Sequence, residues 1–151
     1  MPEPTRDRIQ LWVSLPRPPD EVWAEIGGFG AIAEWHPEVR SAEVVEIEGE
    51  THRHVRNPDG ALSLERLIET GPRYYSYEIL DSPLPLSNHR ATLSCAPEDG
   101  GCRVFWSAVF EPNNPAVDDI VEGYYESGLE ALGERYGAGR PAEKRRAGKA
   151  G

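Results

Sequence analysis

Between Pro115 and Tyr136 apolar side chains return every three or four residues: Val117, Ile120, Val121, Tyr124, Tyr125, Leu129, Leu132 and Tyr136. That spacing gathers them into one broad stripe of an α-helix. Pro115 suits a first helical turn, Asp118 and Asp119 set negative charge at the positive helix end, and Gly137 offers a stop. A stripe this wide demands a partner surface, at ~25 cal/mol per Å² of apolar area removed from water. Gly123, Gly128 and Gly133 interrupt it, each at a cost of ~1 kcal/mol against alanine. Close packing on the partner accounts for them, and so does space left open beneath the helix.

Elsewhere the period is two. Residues 8–15 alternate Ile9, Leu11, Val13 and Leu15 against Gln10, Trp12 and Ser14, a strand with one buried face. Pro16, Pro18 and Pro19 end it. Asp20 is placed to cap a short helix through Ile26 that turns Val22 and Trp23 inward. Gly27, Gly28 and Gly30 break that helix, and a second short one, over about 30–35, leads to Trp35-His36-Pro37, where Pro37 forces extended backbone. Six more strands follow at the close spacing of an antiparallel meander, at about 39–48, 52–57, 61–70, 73–81, 87–96 and 102–111. Their joints are turn-forming: Glu48-Gly49-Glu50, Asn57-Pro58-Asp59-Gly60, Gly71-Pro72, Asp81-Ser82-Pro83-Leu84-Pro85 and Asp99-Gly100-Gly101. Seven curled strands, two short helices and a long terminal helix predict an α+β domain over residues 1–136, a sheet closed part way around a helix with space between them.

Composition narrows the partners. The 151 residues suit one domain with a real core, and 38% hydrophobic content with four Trp and six Tyr excludes a disordered chain. No apolar run approaches the ~20 residues of a membrane span, and the polar start is unlike a signal, so the chain reads as cytoplasmic. The net charge is −10, but residues 137–151 set five bases, Arg140, Lys144, Arg145, Arg146 and Lys149, against Glu143 alone, which leaves −14 for the body. An acidic body repels phosphates and argues against nucleic acid as partner. The basic Gly- and Ala-rich end reads as a solvated, disordered tail. Cys95 and Cys102 read as free thiols. His52-x-His54 puts two imidazoles on one strand face without further ligands at metal spacing, so no metal is expected there. A phosphate-binding Gly loop, a nucleophile elbow and a Cys-x-x-Cys motif are all missing, and no cofactor is expected.

The order of elements, with Pro19-x-x-x-Trp23, Gly28-Phe29-Gly30, Trp35-His36-Pro37, Arg56 before a Pro-Asp-Gly turn, Glu65-Arg66-Leu67, Tyr77, Pro83-Leu84-Pro85 and Trp106-x-x-x-Phe110, resembles the START-like superfamily over about residues 7–136. Within it the chain is most similar to the polyketide cyclase/dehydrase group often labelled SRPBCC. The resemblance implies a helix-grip fold around a deep hydrophobic cavity, with functions from lipid transport to aromatic ring closure.

Alternation gives the candidate residues. On strand 61–70, Glu65 shares a face with Ala61, Ser63, Leu67 and Glu69, and periodicity alone allows either face to be the inner one. The resemblance implies that the Ser63, Glu65 and Leu67 face lines the pocket. A carboxyl there needs a partner, such as Arg56 on the neighbouring strand, or loses its charge and becomes able to move protons near neutral pH. His89 is in phase with Ala91, Leu93 and Cys95 and is expected inside, as proton carrier or as rim residue. Tyr75 and Tyr77 alternate inward with Ile79. Trp35 and His36 are expected at the cavity mouth, Trp106 and Phe110 in the wall facing the long helix, and Tyr124 on that helix. Two readings follow. One is a monomeric or homodimeric carrier or sensor of a small hydrophobic or aromatic molecule. The other is a cofactor-independent cyclase, aromatase or dehydratase that uses Glu65, His89 and Tyr77 for proton transfer. Glu65 and His89 facing one cavity together favours the enzyme, and a wall of hydrocarbon alone favours the carrier.

Overall fold

The computed structural model describes residues 9–112 and 115–146. Its strands are β1 (Ile9–Leu15), β2 (Ser41–Ile47), β3 (Glu50–Arg56), β4 (Leu62–Gly71), β5 (Tyr74–Asp81), β6 (Leu86–Glu98), β7 (Gly101–Pro112) and β8 (Glu143–Arg146). The helices are α1 (Pro19–Ile26), α2 (Ile32–Trp35) and α3 (Pro115–Tyr136). Among the described residues all eight strands join one antiparallel sheet in the order β2-β3-β4-β5-β6-β7-β1-β8. This is the helix-grip arrangement expected of the sequence, and bounds of the seven predicted strands fall within two residues of those expected. No helix among the described residues is long and apolar enough to cross a membrane.

The curved sheet wraps α3, which packs mainly along β1 with a lesser contact on β7. Val117, Val121, Tyr125, Leu129, Leu132 and Tyr136 are buried and meet Ile9, Leu11, Val13, Val104, Trp106 and Ala108 in one core. The predicted stripe is narrower than expected at its start, because Ile120 is 51% exposed. The C-terminal half of α3 therefore sits on the sheet, while its N-terminal half faces strands β3 to β5, which curl past it without touching it closely.

Three expectations need correction. Pro18, with no side-chain cap, occupies the N-cap of α1; Asp20 lies in the first turn and bonds Arg73 at 3.0 Å instead. The seven-stranded sheet has an eighth strand. Part of the tail expected to be solvated turns back at Gly137 and lays β8 along the free edge of β1, from Trp12↔Glu143 to Ile9↔Arg146. An unpaired edge is a row of unused donors and acceptors, and β8 covers it. Side chains fasten it: Trp12 Nε1 donates to Glu143 at 3.1 Å, and Lys144 Nζ stands 3.1 Å from Glu122 and 3.5 Å from Glu126 on α3. The remainder of the predicted tail, 147–151, lies outside the described residues.

The helix glycines separate into two cases. A Cβ on Gly123 would meet nothing within 4 Å, whereas one on Gly128 would come 2.5 Å from Cδ2 of His36 and 3.1 Å from Cζ3 of Trp106. Close packing holds at Gly128; Gly123 is exposed and does not line the cavity between β3–β5 and α3, so open space beneath the helix does not account for it. Gly123→Ala is expected to raise stability by about 0.5–1 kcal/mol through helix propensity. Gly128→Ala is expected to lower it despite the same propensity gain, because the His36 ring has nowhere to go. Urea denaturation of the two variants beside the parent protein checks both signs.

Candidate functional site

Why β3 and β4 face as they do follows from their hairpin. Asn57 and Gly60 close the turn, with the Asn57 amide bonding Ala61 O and the Gly60 amide bonding Asn57 O, both at 2.9 Å, and Gly60 at φ 91°. That turn sets Arg56 against Leu62 and, three rungs further, Arg53 against Glu65. The inward Glu65 thus has an arginine partner, but it is Arg53 rather than Arg56, whose guanidinium bonds Gly60 O in the turn. Arg53 is fully buried, and its Nε donates to Glu65 Oε1 at 2.7 Å.

Arg53 holds more than Glu65. Its Nη1 donates to Phe29 O at 2.8 Å and to Tyr75 OH at 3.2 Å. Its guanidinium carbon lies 4.1 Å from the Phe29 ring centre and 4.7 Å from that of Tyr77. Buried guanidinium over aromatic faces is a favourable arrangement. One charge thereby binds β3, β4, β5 and the Gly28-Phe29-Gly30 corner together. The sequence signal was available, since Arg53 alternates in phase with Val55, which is 2% exposed.

A cavity of about 300 Å³ opens beside this pair, between β3–β5 and the N-terminal half of α3. Buried Val55, Glu65, Tyr77, His89, Val121 and Tyr125 form its inner part. Exposed Glu38, Asp59, Leu62, Pro83 and Ile120 stand at its outer part, with Ser63, Leu84 and Tyr124 between. Of the residues expected from sequence, Glu65, His89, Tyr77, Ser63 and Tyr124 line this cavity. Trp35, His36, Leu67, Tyr75, Ala91, Trp106 and Phe110 are not on its wall. Its exposed lining comes from Glu38, the 57–62 turn, the 82–84 loop and α3, and Trp35 is not part of it. Val55, Val121, Tyr125 and the 82–84 loop are lining residues that alternation and helix phase pointed to without assigning.

The residues absent from the wall back it. Trp106 is wholly buried, stacks on Tyr125 with ring centres 4.1 Å apart, and donates from Nε1 to Tyr77 OH at 3.1 Å. Phe110 stacks against His89 at 6.2 Å. Tyr75 and Leu67 support the Arg53 layer and the core, and Ala91 sits opposite Tyr77 on the next strand. Trp35 packs on Trp106 at 5.6 Å. His36 is locked by both nitrogens: the Glu38 amide donates to Nδ1 at 3.0 Å, so Nε2–H donates to Tyr124 O at 2.8 Å. Its ring stacks on Tyr124 at 4.2 Å. That geometry ties the α2–β2 corner to α3 and leaves no nitrogen for acid–base work.

Burial pushes His36 down to about 4, against a smaller opposing contribution from the Tyr124 carbonyl. Burial likewise pushes His89 down to about 4. Both rings are neutral at pH 7, and His89 Nδ1 has no hydrogen-bond partner. Desolvation also pushes Tyr77, Tyr124 and Tyr125 up, which keeps their hydroxyls protonated. His52 bonds the Glu50 carbonyl at 2.9 Å, and among the described residues no three His, Cys, Asp or Glu side chains group as a metal site. Cys95 and Cys102 are free and buried.

Two tests follow. Arg53→Leu strands Glu65 and is expected to cost about 3–5 kcal/mol, while Arg53→Leu combined with Glu65→Leu recovers most of it; a double-mutant cycle in urea measures this. The second concerns acid. An unfolded chain protonates each histidine as pH falls past 6.5, whereas native His36 and His89 resist to about 4, so stability falls between those values. At pH 5 the loss is about 2 kcal/mol for each ring. Urea midpoints at pH 7 and pH 5 should therefore separate, and His89→Leu should reduce the separation by about half.

Comparison with known proteins agrees with this architecture. Comparison with curated protein sequences returns no match. Among solved structures the chain is similar to the protein XoxI from Bacillus cereus, with 30% identity, a TM-score of 0.78, and 84% of this chain and 93% of that one covered. A protein from Thermobifida fusca shows 33% identity at a TM-score of 0.71, covering 85% of this chain and 91% of that one. The di-domain ARO/CYC StfQ from the steffimycin biosynthetic pathway shares the fold at 12% identity and a TM-score of 0.66, over 88% of this chain and 53% of that one. The sequence profile of the family described as polyketide cyclase / dehydrase and lipid transport matches residues 6–137, and the chain belongs to that family.

Proposed function

We propose that the protein binds a small, largely apolar ring compound in the cavity between β3–β5 and α3. The observation that carries this reading is the cavity itself. At about 300 Å³ it stands at the small end of the range of ligand sites. Its walls combine aliphatic and aromatic surface with a few polar groups at the inner end, the usual composition of a site that encloses a small molecule. Membership of a family of cyclases and lipid carriers agrees with it.

A second reading is favoured by one specific feature. Glu65, Tyr77 and His89 line the same cavity, so its wall is not hydrocarbon alone. His89 is neutral at pH 7 and lines the cavity, which suits a base for cofactor-independent cyclisation or dehydration of a carbonyl-bearing chain. In that chemistry His89 takes or returns the proton, and Tyr77 orients the carbonyl. Glu65 cannot take a proton without leaving Arg53 a buried charge with no partner.

The test of binding uses Ile120, which lines the cavity and is half exposed, so a larger side chain is accommodated there without disturbing the core. Native mass spectrometry of protein gently purified from its own host is expected to reveal a bound molecule. Ile120→Trp is expected to keep the melting temperature within a few degrees and to lose that molecule. Full retention by a folded Ile120→Trp protein would remove this cavity as the binding site.

A further inference from the structure

The polar groups of the cavity are unequally supplied with charge, and this inference rests on the binding reading above. Glu65 divides its two oxygens. Oε1 is taken on the sealed side by Arg53 Nε at 2.7 Å, whereas Oε2 receives only a long contact, 3.5 Å from Ser63 Oγ. Glu65 lines the cavity and Arg53 does not. The arginine bonds Glu65, Phe29 O and Tyr75 OH behind the wall, and its Nη2 is buried there without a partner, so its positive charge neutralises the carboxylate from outside the lining. Among the described residues no lysine or arginine lines the cavity, and two further carboxylates, Glu38 and Asp59, stand at its outer part. An anionic group entering this space would lose its water beside the Glu65 carboxylate and meet hydroxyl donors but no positive charge on the described wall.

Next to that acceptor stands a donor. Tyr77 OH already accepts a bond from Trp106 Nε1 at 3.1 Å, so its own proton turns to the neighbouring Tyr125 hydroxyl or to a ligand on the wall that both line. Tyr77 shares the cavity wall with Glu65, one strand away. A hydroxyl is the group that answers both, because it donates to a carboxylate oxygen and accepts from a phenol at the same atom. Carboxylates and sulfonates cannot donate. Ketones cannot either. His89 is 5% exposed and lines the same cavity, where its ring is a second contact for a ring compound.

We infer that the cavity selects an uncharged, hydroxyl-bearing ring compound, a phenol whose hydroxyl donates to Glu65 Oε2, and rejects ring compounds that carry a carboxylate. Arg53 acts here as a positioning residue: it fixes the carboxylate and supplies the compensating charge from behind.

Three probes of one skeleton test this on the full chain at pH 7: naphthalene, 2-naphthol and 2-naphthoate, titrated while backbone amide shifts of residues 63–65 and 120–125 are followed by NMR. The naphthol is expected to bind at least ~10-fold more tightly than the naphthoate, and more tightly than naphthalene, because a hydrogen bond to a charged acceptor is worth that much in a dry site. Naphthoate binding as well as naphthol overturns the inference, and so does naphthol binding no better than naphthalene. Naphthalene and naphthol both leaving those amides unmoved overturns the binding reading itself, a separate result. In the variant Arg53→Leu/Glu65→Leu the preference for naphthol over naphthalene is expected to vanish while naphthalene still binds. Survival of that preference overturns the role of Glu65, and the comparison of probes on the parent protein stands whether or not this variant folds.

Discussion

A guanidinium and a carboxylate buried side by side on adjacent strands govern this molecule. Neither Arg53 nor Glu65 can sit in the interior alone, since an isolated buried charge costs several kcal/mol. Together they force one choice of register, because a slip of a single residue in the β3–β4 pairing would put the two charges on opposite faces of the sheet. The same arginine closes on Phe29 O and Tyr75 OH, so the corner after α1 is fastened to the middle of the sheet by the charge that balances Glu65. The pair is a point of assembly before it is part of any site.

Space for a ligand arises from how α3 is used. Leu129, Leu132 and Tyr136 are committed to the β1 and β7 side, where Val13, Val104 and Trp106 meet them. The first half of the helix cannot also reach β3–β5, because the His36 ring, bonded to Tyr124 O and seated over Gly128, stands as a wedge at the midpoint. A side chain at 128 would displace that wedge. Absence of a Cβ at one helix position thereby sets how the α2–β2 corner meets the helix, while Tyr124 and Tyr125 turn toward the cavity on one side and toward Trp106 on the other.

The long helix and the seven strands were legible because each carries an unbroken period, 3.6 in α3 and 2 in β1, β5 and β6. His89 followed from the same alternation, being in phase with Ala91, Leu93 and Cys95. Arg53 did not follow, because a charged residue between two histidines reads as solvated surface until its cross-strand neighbour is known. Counting rungs from the Asn57–Gly60 turn supplies that neighbour, so the information was present but required register as well as period. Trp35 and His36 were misplaced for a different reason. Aromatic residues at a helix–strand corner suggest a doorway, yet Trp35 and His36 are buried against Trp106 and α3. Strand β8 was hidden by composition, since four charged residues in a row carry no apolar alternation; they pair because an open β1 edge and the Glu122 and Glu126 carboxylates await them.

Two polar groups in one cavity do not make equal chemical partners, and here the sheet assigns them different work. Glu65 is held by a buried counter-charge and offers its second oxygen as a fixed acceptor. His89, packed between Tyr77 and Phe110 and kept neutral by burial, stands on the same wall. A fixed acceptor recognises; a neutral imidazole is able to exchange a proton. Under the proposed function, recognition at one residue and proton exchange at the other need no common step, so one cavity would serve a carrier when only the first is used and a cyclase when both are. What separates the two within the family need not be a different fold. It can be as little as whether the bound ring places an acidic carbon within reach of the second group.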